Sequence, residues 1–226
     1  MEKFVIALGG SVILPEKIDI DFLKEFKDFL VGEMKKGKKF VLIIGGGKVC
    51  REYQKAASLI SPVSNKDKDL LGIKVTRLNA ELLKAVFGKY CHPVVLDERF
   101  KVRDFGKYSL IMGCGWEVGH STDFDAVLSS VDFNIKTTII LGKPSYVYTS
   151  NPDEDKKAEP IERMNWKEYF KLVPSEWTPG FSSPVDITAA KLAEKENIEV
   201  IVAYGRDLDN FKSILEGKDF KGTLIA

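Results

Sequence analysis

The sequence predicts an α/β fold built on a mainly parallel sheet with helices over both faces. Three observations carry that prediction. Short apolar runs, such as Phe4-Val5-Ile6-Ala7-Leu8 and Phe40-Val41-Leu42-Ile43-Ile44, read as buried strands. Segments with apolar residues at helical spacing alternate with these runs. The first two runs each stop in glycine, at Gly9-Gly10-Ser11 and at Gly45-Gly46-Gly47-Lys48, where a helix follows. Such an end leaves backbone N–H groups uncovered, and glycine lets an anion approach them closely. Two such turns on neighbouring parallel strands can hold two phosphate-bearing ligands face to face, the geometry that phosphoryl transfer needs.

The elements follow in order. Phe4 to Leu8 is the first strand. Asp21 is placed to cap a helix carrying Phe22, Phe26, Phe29, Leu30 and Met34 on one side, and Gly37 ends it. Phe40 to Ile44 is the second strand, and Lys48 to Leu59 is the helix after its glycine turn. Ser61 to Asp69 is a polar loop with a proline. Ile73, Leu78, Leu82, Leu83 and Val86 predict a long helix from about Leu71 to Phe87. Pro93 to Leu96, Ser109 to Met112 and Thr137 to Leu141 read as three more short buried strands. A helical stretch from Asp186 to Glu196 leads into a strand at Val200 to Ala203. Asn151 to Glu162, charged and bounded by proline, and Pro174 to Pro184, rich in Pro, Gly and Ser, read as loops over the ligand side. There is no internal repeat and no low-complexity tract. The chain reads as one domain with two lobes around a cleft.

At 226 residues the chain is long enough to bury a substantial core. Its 34 Lys and Arg against 33 Asp and Glu give a net charge of +1, which argues against a general nucleic-acid binder. The charges are interspersed, as on a solvated surface. Cys50, Cys91 and Cys114 are too far apart for a zinc or redox motif and read as buried thiols in a reducing compartment. The N-terminus runs straight into a strand without a charged-then-apolar leader, and no apolar run approaches transmembrane length. The expectation is a cytoplasmic protein with no membrane partner.

Several segments can carry chemistry. Gly9-Gly10-Ser11 lacks the Gly-Lys-Ser/Thr ending of a Walker A loop and the three-glycine spacing of a dinucleotide fingerprint, so alone it says little. Arg51 lies one helical turn beyond Gly45-Gly46-Gly47; it either reaches the same anion or is simply exposed. Gly113 to Asp123 follows a buried strand, is interrupted by glycine, and ends in Ser121, Thr122 and Asp123. These residues suit a phosphate or a ribose, or else cap the helix from about Phe124. His120, lacking an acid placed beside it in sequence, reads as structural more readily than as a general base. Asp69 caps a helix or binds a sugar hydroxyl, and Asp186 opens the last long helix. Acids at these helix starts would all sit at the carboxyl edge of the sheet, where open α/β sheets bind ligands.

Together the residues form a pattern. Gly-Gly-Ser-Val at 9–12, Gly-Gly-Gly-Lys-x-x-Arg at 45–51 and Asp-x-x-Gly-Ile-x-x-Thr-Arg-x-Asn-Ala at 69–80 come first. Gly-His-Ser-Thr-Asp at 119–123, Val-Tyr-Thr-x-x-Pro at 147–152, Asp-x-x-Ala-Ala-Lys at 186–191 and Lys-Gly-Thr at 221–223 follow. In this order and over nearly the whole length, the chain resembles the amino-acid kinase superfamily, and within it the archaeal-type uridylate (UMP) kinases. The resemblance implies a three-layer αβα sandwich spanning 1–226, with residues 1–135 binding the phosphoryl acceptor and 136–226 binding ATP. It implies transfer of the γ-phosphoryl group of ATP to UMP with Mg²⁺, in pyrimidine nucleotide biosynthesis, by a homo-oligomer for which a hexamer is expected.

By position, the resemblance assigns Ala7, Leu8, Gly9, Gly10, Ser11, Gly47, Arg51, Lys143, Tyr148 and Asn151 to ATP. It assigns Gly46, Asp69, Gly115, Trp116, Gly119, His120, Ser121 and Thr122 to UMP. Gly10, Arg51 and Asp186 are the implied catalytic positions, and no protein residue is assigned to a metal. Two departures stand out. Ala7 occupies the place where many relatives carry a lysine, so Lys48, Arg51 or Lys143 would have to supply that cation. The usual Thr-Asn-x-Asp-Gly-Val-Tyr is here Gly142-Lys143-Pro144-Ser145-Tyr146-Val147-Tyr148, and the acid of the following Asp-Pro is Asn151. The alternatives are another small-molecule kinase of the superfamily, against which Ile44 and Asp69 speak, and a catalytically weak nucleotide-binding regulatory protein.

Overall fold

In the computed structural model, which describes residues 2–178 and 183–226, the first apolar run forms β1 (Lys3–Leu8) and the second forms β2 (Lys39–Ile44). β3 (Leu110–Gly113), β4 (Thr137–Gly142) and β8 (Glu199–Tyr204) complete the parallel part of a seven-stranded sheet. The edge adds β9 (Thr223–Ile225), antiparallel to β8, and β7 (Arg163–Met164) beside it. The order is β3-β2-β1-β4-β8-β9-β7, so the direction of winding reverses between β1 and β4. The register pairs Leu8 with Ile44 on one side and with Leu141 on the other, which levels the carboxyl ends of β1, β2 and β4. A separate two-stranded ribbon joins β5 (Val147–Tyr148) to β6 (Pro160–Ile161).

Each strand feeds both faces because successive side chains alternate. Ile6, Leu8, Leu42 and Ile44 pack against α2 (Ile20–Lys35), α4 (Asn65–Phe87) and α8 (Leu208–Leu215), through Phe26, Leu30, Leu83 and Phe211. Val5, Ala7, Val41 and Ile43 pack on the opposite face with α5 (Thr122–Asp132), α6 (Trp166–Tyr169) and α7 (Ile187–Glu196). Ala189, Ala190 and Ala193 give α7 a small-residue face toward that layer. The result is a three-layer αβα sandwich. α3 (Gly47–Ile60) has no fully buried residue; it lies against α4 as an outer element.

Local chemistry moves several predicted boundaries. Asp19, not Asp21, caps α2: its carboxylate accepts from Phe22 N at 3.1 Å and is held by Arg206 Nη2 at 2.7 Å. The predicted loop at 61–69 ends early, because Ser64 and Asp67 form a reciprocal capping box that starts α4 at Asn65. Asp69 therefore sits inside the helix and caps nothing. Ser121, rather than Asp123, caps α5 by accepting from Asp123 N. Pro93–Leu96 is not a strand. The segment meets β3 in an isolated bridge at Leu96, as Cys91 does just before it, and Pro93 has no N–H for a ladder. A one-turn helix, α1 (Gly10–Ile13), follows the first glycine turn directly. Of the predicted loop at 174–184, residues 179–182 lie outside the described residues. Cys91 and Cys114 are buried, and burial pushes both thiols up to about 11; Cys50 is half-buried.

Candidate active site

The levelled ends of β1, β2 and β4 open into a cleft of about 250 Å³ at the point where the strand order reverses. Its floor is backbone. Gly9 N continues the β4 ladder to Leu141 O at 2.8 Å, and Gly45 N continues the β1 ladder to Leu8 O at 2.9 Å. The next residues peel away, and the two turns meet. A Cβ on Gly10 would stand 2.2 Å from Gly47 N, and one on Gly47 would stand 2.6 Å from Gly10 C. Gly47 also has φ +67°, so glycine is required there twice over. Neither Gly9, which caps α1, nor Gly46, which caps α3, offers a side-chain cap. Val12 N donates to Gly9 O at 2.9 Å, and the amides at the very start of each helix stay open for an anion.

Side chains of α4 brace this floor. Asn79 Nδ2 donates to Gly45 O at 2.9 Å, and Thr76 Oγ1 accepts from Gly115 N at 3.1 Å. Both belong to the Thr-Arg-x-Asn-Ala stretch, whose individual roles the sequence did not disclose. One wall is the 113–121 loop. Asp69 Oδ2 accepts from Gly119 N at 2.9 Å, and burial raises its carboxyl against the pull of that amide and of His120. Asp186 joins the far helices: Oδ1 caps α7 through Thr188 N at 2.8 Å, and Oδ2 accepts from Ser121 N at 2.7 Å. Asp123 returns the contact by accepting from Asp186 N at 3.3 Å. Burial, with Asp186 adding to it, pushes Asp123 up to about 7.

Most of the implied site residues meet in this cleft. Gly9, Gly10, Ser11, Gly46, Gly47, Arg51, Asp69, Gly115, His120, Ser121, Thr122, Lys143 and Asp186 all line it, and Asp123 joins them. Ala7 and Leu8 do not line it; they are buried in β1 beneath the floor. Trp116 turns to a different cavity, beside Arg99 and Phe133. Gly119 reaches the wall only through its amide. Tyr148 lies on the β5–β6 ribbon and Asn151 in the loop that joins its two strands, away from the lining. Asn151 is committed to its own turn, with Nδ2 donating to Glu154 at 2.9 Å and Oδ1 accepting from Asp153 N. Of the cations proposed to replace a lysine at Ala7, Arg51 and Lys143 line the cleft. Lys48 is ion-paired with Glu16 instead. Among the described residues, no group of three or more His, Cys, Asp or Glu is arranged to hold a metal ion.

The comparisons with known proteins agree with this geometry. A model of the amino acid kinase family matches residues 2–107 and 111–204. This chain belongs to the amino acid kinase family. Within the family it is similar to the uridylate kinase of Thermococcus onnurineus, 30% identical over 226 residues and 99% of each chain. It is 34% identical to the uridylate kinase of Thermoplasma volcanium, over 96% of this chain and 94% of that one. The crystal structure of the uridylate kinase from Archaeoglobus fulgidus superposes with a TM-score of 0.82 at 27% identity, covering 99% of this chain and all of the other. The family fold and the cleft at its sheet edge are thus present over the chain's full span.

Proposed function

We propose that this protein is an ATP-dependent UMP kinase, moving the γ-phosphoryl group of ATP to UMP to give UDP in pyrimidine nucleotide biosynthesis. One observation carries the reading: two glycine turns, each opening a helix without a side-chain cap, meet backbone to backbone at the ends of adjacent parallel strands. Full-length likeness to uridylate kinases supplies the identity of the nucleotides.

The assignment of roles follows the cleft. Gly9, Gly10 and Ser11 take the ATP phosphates, with Lys143 beside them. Gly46 takes the UMP phosphate, Gly47 and Arg51 the phosphates between the substrates, and Asp69 with the 115–122 wall the rest of UMP. A phosphate oxygen of UMP attacks the γ-phosphorus and ADP leaves. The protein has little covalent work in that step; it aligns two anions and offsets charge spreading over the transferring group. Backbone amides of both turns and the Arg51 and Lys143 cations serve that end. An ATP-dependent kinase uses a divalent metal ion, here assigned as Mg²⁺, which when bound to ATP neutralises charge on its β- and γ-phosphates. Asp186 holds Ser121 N and the start of α7 in register with the reacting groups.

The same reading divides the chain into an acceptor lobe over 1–135 and a donor lobe over 136–226, in the cytoplasm. It includes a homo-oligomer, with a hexamer expected. Exposed Tyr53, Leu59 and Ile60 on outer helix α3 support a partner copy there. Among the described residues no helix is long and apolar enough to cross a membrane. The test is nucleoside diphosphate formation from ATP and Mg²⁺ with UMP, CMP and dUMP in turn. Turnover with UMP is expected. Failure with all three, while calorimetry still detects UMP binding, would leave a nucleotide-binding regulatory protein.

A further inference from the structure

α4 runs behind the second glycine turn, and one of its side chains reaches the turn's backbone. Asn79, in the interior of that helix, is buried; its Nδ2 donates to Gly45 O at 2.9 Å and reaches Gly46 O at 3.5 Å. Carbonyls only accept, so the side-chain amide must face them with its nitrogen. Gly45, Gly46 and Gly47 line the cleft, and Asn79 does not. It meets the turn from behind.

The end of the sheet creates the need for this contact. Gly45 N closes the β1–β2 ladder on Leu8 O at 2.9 Å, and β1 then turns off at Gly9, whose amide goes to Leu141 O of β4 at 2.8 Å. Gly45 O is left beyond the ladder, and Asn79 supplies the donor in place of a strand. The consequence falls on the other side of the peptide planes. In a trans peptide the C=O of one residue and the N–H of the next point in opposite directions. With Gly45 O and Gly46 O held on the α4 side, the N–H groups of Gly46 and Gly47 turn away from α4. Neither amide donates to a backbone carbonyl among the described residues, and no side chain caps α3. Glycine peptides rotate easily, so a hold from behind is what fixes these planes.

We propose that Asn79 is a positioning residue for the acceptor phosphate: by pinning the carbonyls of Gly45 and Gly46, it aims the amides of Gly46 and Gly47 at a phosphate group. This rests on reading the second turn as the acceptor's phosphate site. Asparagine is a poor residue for a helix interior, and its neighbours Ala80 and Leu83 are fully buried and apolar. The contacts to the turn offset that local cost. The first turn is held separately, by β4 through Gly9 N, and both Asn79 contacts go to the second.

The test compares the full-length parent with Asn79→Leu, which keeps the volume and removes the donor. Glycine-selective ¹⁵N labelling follows the Gly46 and Gly47 amides by NMR as UMP is added. Both should shift in the parent; in Asn79→Leu they should start from different positions and respond less at saturating UMP. In steady-state kinetics, kcat/KM for UMP should fall at least about tenfold, the scale of a hydrogen bond to a charged group. KM for ATP should stay within about twofold. Asn79→Ala repeats both readings if leucine disturbs the packing of α4. A merely structural residue would lower the thermal midpoint and leave the amide response and the UMP constants as in the parent. That result overturns the proposal, as does an equal loss for ATP and UMP. If UMP moves neither amide in the parent, the acceptor-site reading falls and takes the proposal with it. If the amides shift but UMP is not phosphorylated, the kinase reading falls alone, and the comparison of amides still decides the role of Asn79.

Discussion

Arg51 is exposed and lines the cleft one turn into α3, the helix that the second glycine turn opens. A guanidinium there forms charge-assisted bonds to phosphate, about twice as strong as neutral ones. Arg51→Ala is expected to lower kcat/KM at least about tenfold, while leaving stability within about 0.5 kcal/mol. Steady-state kinetics beside thermal unfolding check both halves, and unchanged kinetics would remove Arg51 from the site. At this scale the sequence was most legible where the backbone itself is special. Glycines at 9, 10, 46 and 47 announced a turn that tolerates no side chain, and Gly10 and Gly47 do abut. Asn79 and Thr76 stayed hidden because each acts on a backbone group more than 30 residues away, at Gly45 and Gly115. Only the packing of α4 against the sheet brings them there. His120 looked solitary for a related reason: the acid beside it, Asp125, lies on the next helix turn and faces it only once α5 forms.

Among the elements, the interior strands were legible because each is a run of apolar residues covered on both sides. β1, β2, β4 and β8 begin and end within one or two residues of the apolar runs. The edge was not. β9 is three residues long and β7 two, too short for any periodic signal. Pro93–Leu96 has an apolar run's composition, yet its proline cannot donate to a ladder, and the segment runs beside β3 without joining it. Helix starts were displaced for want of tertiary information. Ile18-Asp19-Ile20-Asp21 offers two acids two residues apart, and Arg206, from the end of β8, holds the first as the cap. Ser64 with Asp67 makes a capping box with an aspartate where glutamate or glutamine is usual, so its signal is faint. These shifts matter to the site. Once α4 starts at Asn65, Asp69 is free of any capping duty and holds the Gly119 amide instead.

For the whole molecule, the reversal of winding between β1 and β4 sets the site, because it gathers three strand ends and the starts of α3, α5 and α7 at one edge. That gathering concentrates acids, and it carries a pH signature. Asp123 ionises at 3.8 in an unperturbed setting and at about 7 in the fold, through burial and the neighbouring Asp186. A carboxyl whose folded value is raised binds its proton more tightly in the folded chain. Its contribution is therefore full below 3.8 and is lost as pH rises through about 7. Asp69 and Asp125 shift in the same direction. Glu33 runs opposite: burial alone would raise it, but Lys36 and Lys38 outweigh burial and hold it below its ordinary value. Thermal unfolding of Asp123→Asn should accordingly decline less than the parent between about pH 5 and pH 8. Parallel curves would mean that Asp123 is not a protonated, desolvated acid in the folded chain.

The central claim is that the two abutting turns hold a donor and an acceptor phosphate chain at once, in line. The most direct measurement is calorimetric binding of a single molecule in which adenosine and uridine are joined 5′ to 5′ through five phosphates. One molecule per protomer should bind more tightly than ATP or UMP alone, and saturating ATP and saturating UMP should each compete with it. Binding no tighter than one nucleotide, displaced by ATP or by UMP but not by both, would contradict a shared phosphate cradle and the transfer built on it.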